Sequence, residues 1–202
     1  MCRKIIFATK NEGKVREMAA ILREILSLGE AELQFLSLRD FPWFPEIVED
    51  GISFEENAVK KAVTTAKLTG EIAIADDSGL EVDALGGIPG VMSARFAGPH
   101  ATDEENNVKL LHLMEGIKWE NRKARFKCVI TIATPSGFVE TVHGECEGMI
   151  DYIPRGENGF GYDPLFFVPE YGKTFGELDP EVKNSISHRF QALKKAGHVL
   201  RR

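Results

Sequence analysis

The sequence predicts an α/β fold, and three stretches carry that expectation. Residues 4–9 form a short apolar run, and Val15, Met18, Ala19, Leu22, Ile25 and Leu26 then recur at helical spacing, so a buried strand feeds a helix. Further on, a helix capped at Ser53 leads directly into Ile72, Ala73, Ile74 and Ala75, which have the length and composition of a second buried strand. That run then meets Asp76 and Asp77. Two carboxylates cannot continue into an apolar interior without cations, hydrogen-bond donors or a metal. Open α/β sheets place ligands at the C-terminal ends of their strands, so a cleft is expected there. Two readings stand for the pair taken alone. One is a strand end capped by turn-forming Asp and Ser; the other is a divalent-metal or general-base site, which needs support from elsewhere in the chain.

Composition narrows the classes. With 202 residues, 43% of them hydrophobic and 28% charged, the chain reads as a single domain over residues 1–202 with one sizeable core and room for two lobes. A net charge of −6 speaks against a coat for polymeric nucleic acid and against a polybasic membrane binder. Cys2, Cys128 and Cys146 form neither a C-x-x-C motif nor a disulfide framework, which fits the reducing cytoplasm. The N-terminal apolar run is too short for a signal peptide, and no stretch is long enough to span a bilayer.

In chain order, Thr9, Lys10, Asn11, Glu12, Gly13 and Lys14 join the first strand to its helix. Such a junction aims unpaired N–H groups at an anion, and phosphate is the natural guest, with Asn11 capping or donating and Lys14 supplying charge. The plainer alternative is a capped helix with a solvated lysine. Residues 33–38 read as the next strand. Residues 41–46 read as extended because Pro42 and Pro45 deny helix, and Glu49, Asp50 and Gly51 close that segment. Ser53 and Glu56 fit a capping box for a helix to about Thr69, on which Ala58, Ala62 and Ala66 share a small-residue face. Asn57 and Lys61 lie side by side on it and read as polar helix surface when taken alone.

Ser78 and Gly79 are expected to turn the chain, residues 80–85 to alternate as another short strand, and Gly86, Gly87 and Gly90 to shape a loop. Residues 92–98 read as extended. Thr102 and Glu105 cap a helix that is expected to bury Val108, Leu111 and Met114. Residues 126–132 and 138–147 form a long hairpin turning at 135–137, with His143 as a surface or packing histidine. Residues 154–164 form a glycine-shaped loop presenting Phe160 or Tyr162 at its tip, where a planar base could stack. Asp179 and Pro180 start a short helix carrying Lys183. A terminal helix follows Ser187, His188 and Arg189, with Phe190 and Leu193 inward.

Taken together, Asn11, Lys14 and Lys61 offer phosphate contacts. Asp76, Asp77 and Glu49 offer carboxylates to a divalent cation, and Phe160, Lys183, His188 and Arg189 offer a ring with donors near it. A nucleoside triphosphate with Mg²⁺ has those three needs.

Six motifs now carry a resemblance: residues 9–14, 53–58, 75–80, 93–95, 159–164 and 187–189. In this order, and nearly end to end, they resemble the inosine triphosphate pyrophosphatase family, its Ham1-like XTP/dITP diphosphatase branch. The resemblance implies a long mixed sheet flanked by helices, two lobes around a substrate cleft and a homodimer. It also implies Mg²⁺-dependent hydrolysis of ITP, dITP and XTP to the monophosphate and pyrophosphate. Carried onto this chain, it makes Thr9, Asn11 and Lys14 phosphate binders within a substrate loop that includes Lys10, Glu12 and Gly13. Asp77 becomes the proton acceptor and a metal ligand, and Glu49 the second ligand. Ser78, Phe160, Gly161, Tyr162, Asp163, Lys183, His188 and Arg189 become substrate contacts. Lys14 and Lys61 would stabilise the charge of the transition state, and Lys183 or Arg189 would satisfy the 6-keto group that adenine lacks. Lys10 and Phe190 are departures from the usual pattern. The rival readings are a nucleotide-binding protein without hydrolysis, which would not need Asp77, and a Maf-like pyrophosphatase of modified nucleotides, against which the Phe160 loop and the His188–Arg189 pair count.

Overall fold

A computed structural model describes residues 3–27 and 33–201 of the protein; Cys2 lies outside the described residues. In chain order the elements are β1 (Arg3–Phe7), α1 (Glu12–Leu26), β2 (Leu33–Ser37), α2 (Phe54–Thr69), β3 (Ile72–Val82), α3 (Asp103–Leu113), β4 (Lys123–Ala133), β5 (Val139–Ile150), β6 (Phe166–Val168), β7 (Lys173–Thr174), α4 (Pro180–Ile186) and α5 (His188–Leu200). The strands form one sheet in the order β2-β1-β3-β4-β5-β6-β7. β1 runs parallel to both β2 and β3, as helical crossovers require, whereas β5, β6 and β7 pair antiparallel. The α/β class and the mixed sheet are thus as the sequence predicts.

The chain divides into two compact units. The first comprises residues 1–77, 128–144 and 189–202, and the second residues 78–127 and 145–188. In the first unit the period-two alternation of the strands sorts the core into two faces. Ile5, Phe7 and Ile74 pack with Met18, Ile21 and Leu22 of α1 and with Ala192, Leu193 and Ala196 of α5. Their neighbours Ala8, Ala73 and Ala75 pack with Ala62 and Ala66 of α2. In the second unit Leu80 and Val82 join Leu110, Met114, Phe126, Ile150, Phe166 and Phe175. There the Phe126 ring lies 4.6 Å from that of Phe166.

Local signals hold at the helix starts. Ser53 Oγ accepts the Glu56 N–H, and α2 ends at Gly70 in the left-handed conformation, φ 72°. Thr102 and Glu105 form the reciprocal capping box of α3. Four expectations need correction. No turn interrupts Ser78 and Gly79: β3 continues through both carboxylates to Val82, so residues 80–85 are not a separate strand but the end of β3 and a short 3₁₀ turn, Asp83–Leu85. Residues 92–98 are not extended; Gly90–Arg95 is a 3₁₀ helix held by the Ser93 hydroxyl, which donates to Gly90 O and accepts the Leu80 N–H. On α3 the buried face is Asn106, Asn107 and Leu110, while Val108 is exposed. Asn57 and Lys61 are not surface residues: they are 1% and 6% exposed on the buried side of α2.

The alanine seam under α2 predicts an overpacking phenotype. Replacing Ala62, which is fully buried, with leucine (Ala62→Leu) should cost about 1–3 kcal/mol. Urea unfolding should show a lower midpoint with an unchanged slope, and a midpoint equal to the parent's would contradict close packing at this seam.

Candidate active site

Asp76 and Asp77 are adjacent on a central strand and therefore point to opposite faces of it. Asp76, 1% exposed, shares the face of Ile74 and meets the groups brought by α1 and α5. Its Oδ1 pairs with Lys14 Nζ. Its Oδ2 accepts Arg189 Nε at 2.9 Å and the Cys128 thiol at 3.2 Å. Arg189 Nη1 in turn pairs with Glu17 of α1. Burial opposes the charge of Asp76, but Arg189 and Lys14 outweigh it and hold the carboxyl well below the usual aspartate range. The Cys128 thiol is pushed well up by burial and by the neighbouring carboxylate.

Asp77 shares the face of Ala73 and Ala75 and meets α2. Its Oδ1 accepts Lys61 Nζ at 2.9 Å, and its Oδ2 accepts Asn57 Nδ2 at 3.3 Å. The same Lys61 ammonium reaches Glu49 Oε2 at 3.0 Å and Asp76 O at 2.8 Å. Burial pushes the Asp77 carboxyl up to about 6, with Lys61 and Lys14 pulling the other way. Glu49 is also disfavoured by burial, but Lys61 leaves it below its ordinary value. Lys61 is raised, because Asp77 and Glu49 overcome the burial that would neutralise it. Lys14, Lys61 and Arg189 thus face Glu17, Glu49, Asp76 and Asp77, three cations against four carboxylates.

That arrangement was tested against a divalent cation. Among the described residues no three His, Cys, Asp or Glu side chains converge as a complete metal shell. Glu49 and Asp77 nonetheless converge on one ammonium, and two such carboxylates suit an ion that draws its remaining ligands from phosphate oxygens and water. The residues fit such an ion.

The phosphate-loop candidates lie at the start of α1, which leaves β1 through Thr9. Asn11 is the N-cap: its Oδ1 accepts the Lys14 N–H at 3.0 Å, and its own N–H donates to Thr9 Oγ1 at 3.1 Å. Lys10 O accepts Arg39 Nε at 2.7 Å, and Glu12 pairs with Arg39, so the far side of the loop is tied down. Lys10 is exposed, and Gly13 is half-buried in the first turn.

The second unit holds the remaining candidates. Asp163, 3% exposed, accepts Lys183 Nζ at 2.6 Å and the Phe160 N–H at 2.8 Å through one oxygen. Lys183 Nζ sits 5.0 Å from the centroid of the Phe160 ring. Gly159 has φ +80°, and a Cβ there would collide with the Asp163 carboxylate. Gly161 N–H donates to Asp103 Oδ2 at 2.7 Å, and Gly161 O accepts Asn107 Nδ2 at 2.9 Å. His188 stacks on Phe126 at 4.7 Å, and Ser78 is half-buried on β3. Tyr162 is not at the loop tip as expected: its ring is buried in the core, and its hydroxyl donates to Ser93 O at 2.8 Å.

The structure therefore brings Lys14, Glu49, Lys61, Asp77, Asp76 and Arg189 into one charged group of the first unit. In the second unit it gathers Phe160, Asp163 and Lys183. Sequence reasoning missed Glu17, Gly51 and Asn57. A signal for Asn57 was available: Phe54, Asn57, Ala58, Lys61, Ala62, Thr65 and Ala66 complete one helical stripe, so the amide and the lysine fall within an apolar face.

In the first unit an acid pair and two lysines stand near a helix N-terminus, a set of groups suited to a polyphosphate with a divalent cation. The comparisons place the chain more narrowly. Residues 5–199 match the Ham1 family, and the chain belongs to that family. It is 56% identical to the dITP/XTP pyrophosphatase of Desulforamulus reducens over 98% of this chain and 96% of that one. Against the dITP/XTP pyrophosphatase of Geobacter sulfurreducens the identity is 53% over 94% and 92%. Among solved structures, a HAM1 protein from Coxiella burnetii superposes with a TM-score of 0.85 at 44% identity, covering 98% of both chains.

Asp76→Asn replaces one of the carboxylates that face Lys14 and the buried Arg189 with a neutral amide and should cost about 3–5 kcal/mol at neutral pH, read by urea unfolding. Because the folded carboxyl is depressed, its contribution is full above the ordinary aspartate value of about 3.9 and fades as pH falls through the folded value. The gap between parent and variant should therefore close only on the acid side of about pH 4, and a gap that closes towards alkaline pH would contradict the pairing.

Proposed function

We propose that the protein hydrolyses the deaminated purine nucleoside triphosphates ITP, dITP and XTP to the nucleoside monophosphate and pyrophosphate. The observation that carries this reading is the convergence of Glu49 and Asp77 on Lys61, in a chain whose relatives bear the name dITP/XTP pyrophosphatase. Glu49 and Asp77 are the residues that would hold Mg²⁺, which when bound supplies charge neutralisation to the phosphates. Thr9, Asn11 and Lys14, with Lys10, Glu12 and Gly13 in the same loop, hold the triphosphate at the first turn of α1.

Asp77 orients a water and takes its proton. The water oxygen bonds to the α-phosphorus while the bond from that phosphorus to the bridging oxygen breaks, and the electron pair leaves with pyrophosphate. Lys14 and Lys61 balance the charge that develops. The base falls to the second unit's group: Phe160 stacks on it, Lys183 donates to its 6-keto oxygen, and Ser78, Gly161, Tyr162, Asp163 and His188 frame it. Arg189 takes part in base recognition with its guanidinium anchored on Asp76 and Glu17. The same reading makes the protein a cytoplasmic homodimer. The cytoplasmic part of that reading is supported by the unpatterned cysteines.

Pyrophosphate release measured across ITP, dITP, XTP, GTP and ATP should favour the first three. ATP should fall behind ITP by about 10⁴-fold, since an amino group leaves the keto-directed donors unpaired. Asp77→Asn should lower kcat for ITP by about 10²–10⁴-fold, and turnover at the parent rate would remove Asp77 from the chemistry.

Magnesium without nucleotide should raise the thermal midpoint of the parent, by an amount equivalent to about 2.7 kcal/mol at a hundred times the dissociation constant. Glu49→Gln and Asp77→Asn should abolish that rise. An undiminished rise in both variants would move the ion elsewhere.

A further inference from the structure

Asn57 has no part in the roles assigned above, yet its amide touches both arms of the acidic pair. Its Oδ1 accepts the Gly51 N–H at 2.8 Å, and its Nδ2 donates to Asp77 Oδ2 at 3.3 Å. The amide can sit only one way round, since the backbone N–H donates and the carboxylate accepts. Gly51 stands two residues after Glu49, in a segment without regular secondary structure. We infer that Asn57 is a positioning residue that clamps the segment bearing Glu49 to Asp77 and so sets how the two carboxylates face each other; this rests on the proposed role of the pair as metal ligands.

Three features support the clamp. First, Lys61 already neutralises Asp77, but an ammonium is a point charge that leaves a carboxylate free to turn about its own axis. Asn57 and Lys61, one helical turn apart, take one oxygen each and fix the plane of the group. Second, the side chain of Glu49 is 38% exposed and its segment is irregular, so that segment needs an anchor. Gly51 N–H on a 1% exposed amide is such an anchor. Third, the approach is so close that a Cβ on Gly51 would lie 2.6 Å from Asn57 Oδ1. Residue 51 therefore has to be bare for the clamp to close, although its φ lies outside the left-handed region. An aspartate at position 57 would add another anion beside Asp77, and an alanine would leave both partners unsatisfied.

The test uses Asn57→Ala. Magnesium alone is titrated while the thermal midpoint is followed, and kcat and KM are then measured with ITP at saturating magnesium. The magnesium half-saturation should rise and kcat should fall, each by about 10–100-fold, as expected when the group orienting a metal ligand is lost. KM for ITP should stay within about threefold, because no contact to the nucleotide has been removed. If the metal-free midpoint alone drops while the half-saturation and kcat per folded molecule match the parent, the amide serves the fold only and the inference is overturned; a change confined to KM overturns it too.

Should Asn57→Ala fail to fold, Gly51→Ala strikes the same link from its other end. It should raise the magnesium half-saturation in the same direction, and parent-like values there overturn the inference. Asp77→Asn separates the two claims. Loss of ITP hydrolysis in Asp77→Asn together with a parent-like Asn57→Ala defeats the clamp alone, whereas parent-like hydrolysis in Asp77→Asn defeats the functional reading on which the clamp rests.

Discussion

Two carboxylates in succession on a buried strand impose the constraint around which the first unit is built. Alternation sends Asp76 and Asp77 to opposite faces, so each helical layer brings a cation that pairs directly with the carboxylate on its side. On one face α1 contributes Lys14, and Arg189 reaches Asp76 Oδ2 from the first turn of α5. On the other, α2 contributes Lys61. Buried ion pairs return little net stability once desolvation is counted. What they do return here is geometry, since breaking any of them strands a charge. The two faces also differ in how fully charge is satisfied. Asp76 is held well below the ordinary aspartate range, whereas Asp77 is pushed up to about 6 by burial. The same dipeptide thus yields one carboxyl held firmly as an anion and one raised by burial, set apart by their surroundings.

In the second unit one carboxylate organises a loop in a comparable way. Asp163 holds the Phe160 N–H and the Lys183 ammonium on a single oxygen, which fixes the backbone at Phe160 and the ammonium relative to each other. Gly159 is required because a side chain would occupy the place of that carboxylate. Tyr162 keeps the same loop on the core through its buried ring and Ser93 O. Under the function proposed above, ring and ammonium would act as one preorganised element, which spares the ordering cost that a mobile aromatic imposes on binding.

Much of this was legible in the sequence, and the misses have physical causes. The caps at Ser53 and Thr102 are local chemistry and are found where the sequence puts them. The turn expected at Ser78 and Gly79 is absent: β3 runs through both, and just beyond them the Leu80 N–H is held by Ser93 Oγ, so tertiary context overrides turn preference. Of the two rings expected at the loop tip, Phe160 or Tyr162, the second is withdrawn because its apolar ring has a core to enter and its hydroxyl a carbonyl to meet. Val108 was assigned inward on spacing alone, but the inward face of α3 is taken by Asn106 and Asn107, which hold backbone groups of other segments. In the charged site, Asp77, Glu49, Lys14 and Lys61 were each nameable from the chain. That Lys61 joins Glu49 to Asp77, or that Glu17 backs Arg189, depends on contacts between residues distant in sequence, and no spacing rule reports those.

The alanines of α2 belong to the same design as its polar residues. Ala58, Ala62 and Ala66 alternate along one stripe with Asn57, Lys61 and Thr65, and the sheet opposite them presents Ala8, Ala73 and Ala75. How near a helix lies to its neighbour is set by the side chains between them. Leucines on that stripe would hold α2 further from β3. A lysine has length to spare and could still reach Asp77, but an asparagine, with one methylene before its amide, could not. Contact between Asn57 and Asp77 thus requires the small-residue packing around it, and the absence of a Cβ at Gly51 extends that requirement to the segment carrying Glu49. The fit of helix to sheet and the placing of the two carboxylates are one steric condition, met by choosing the smallest side chains on both sides of the seam.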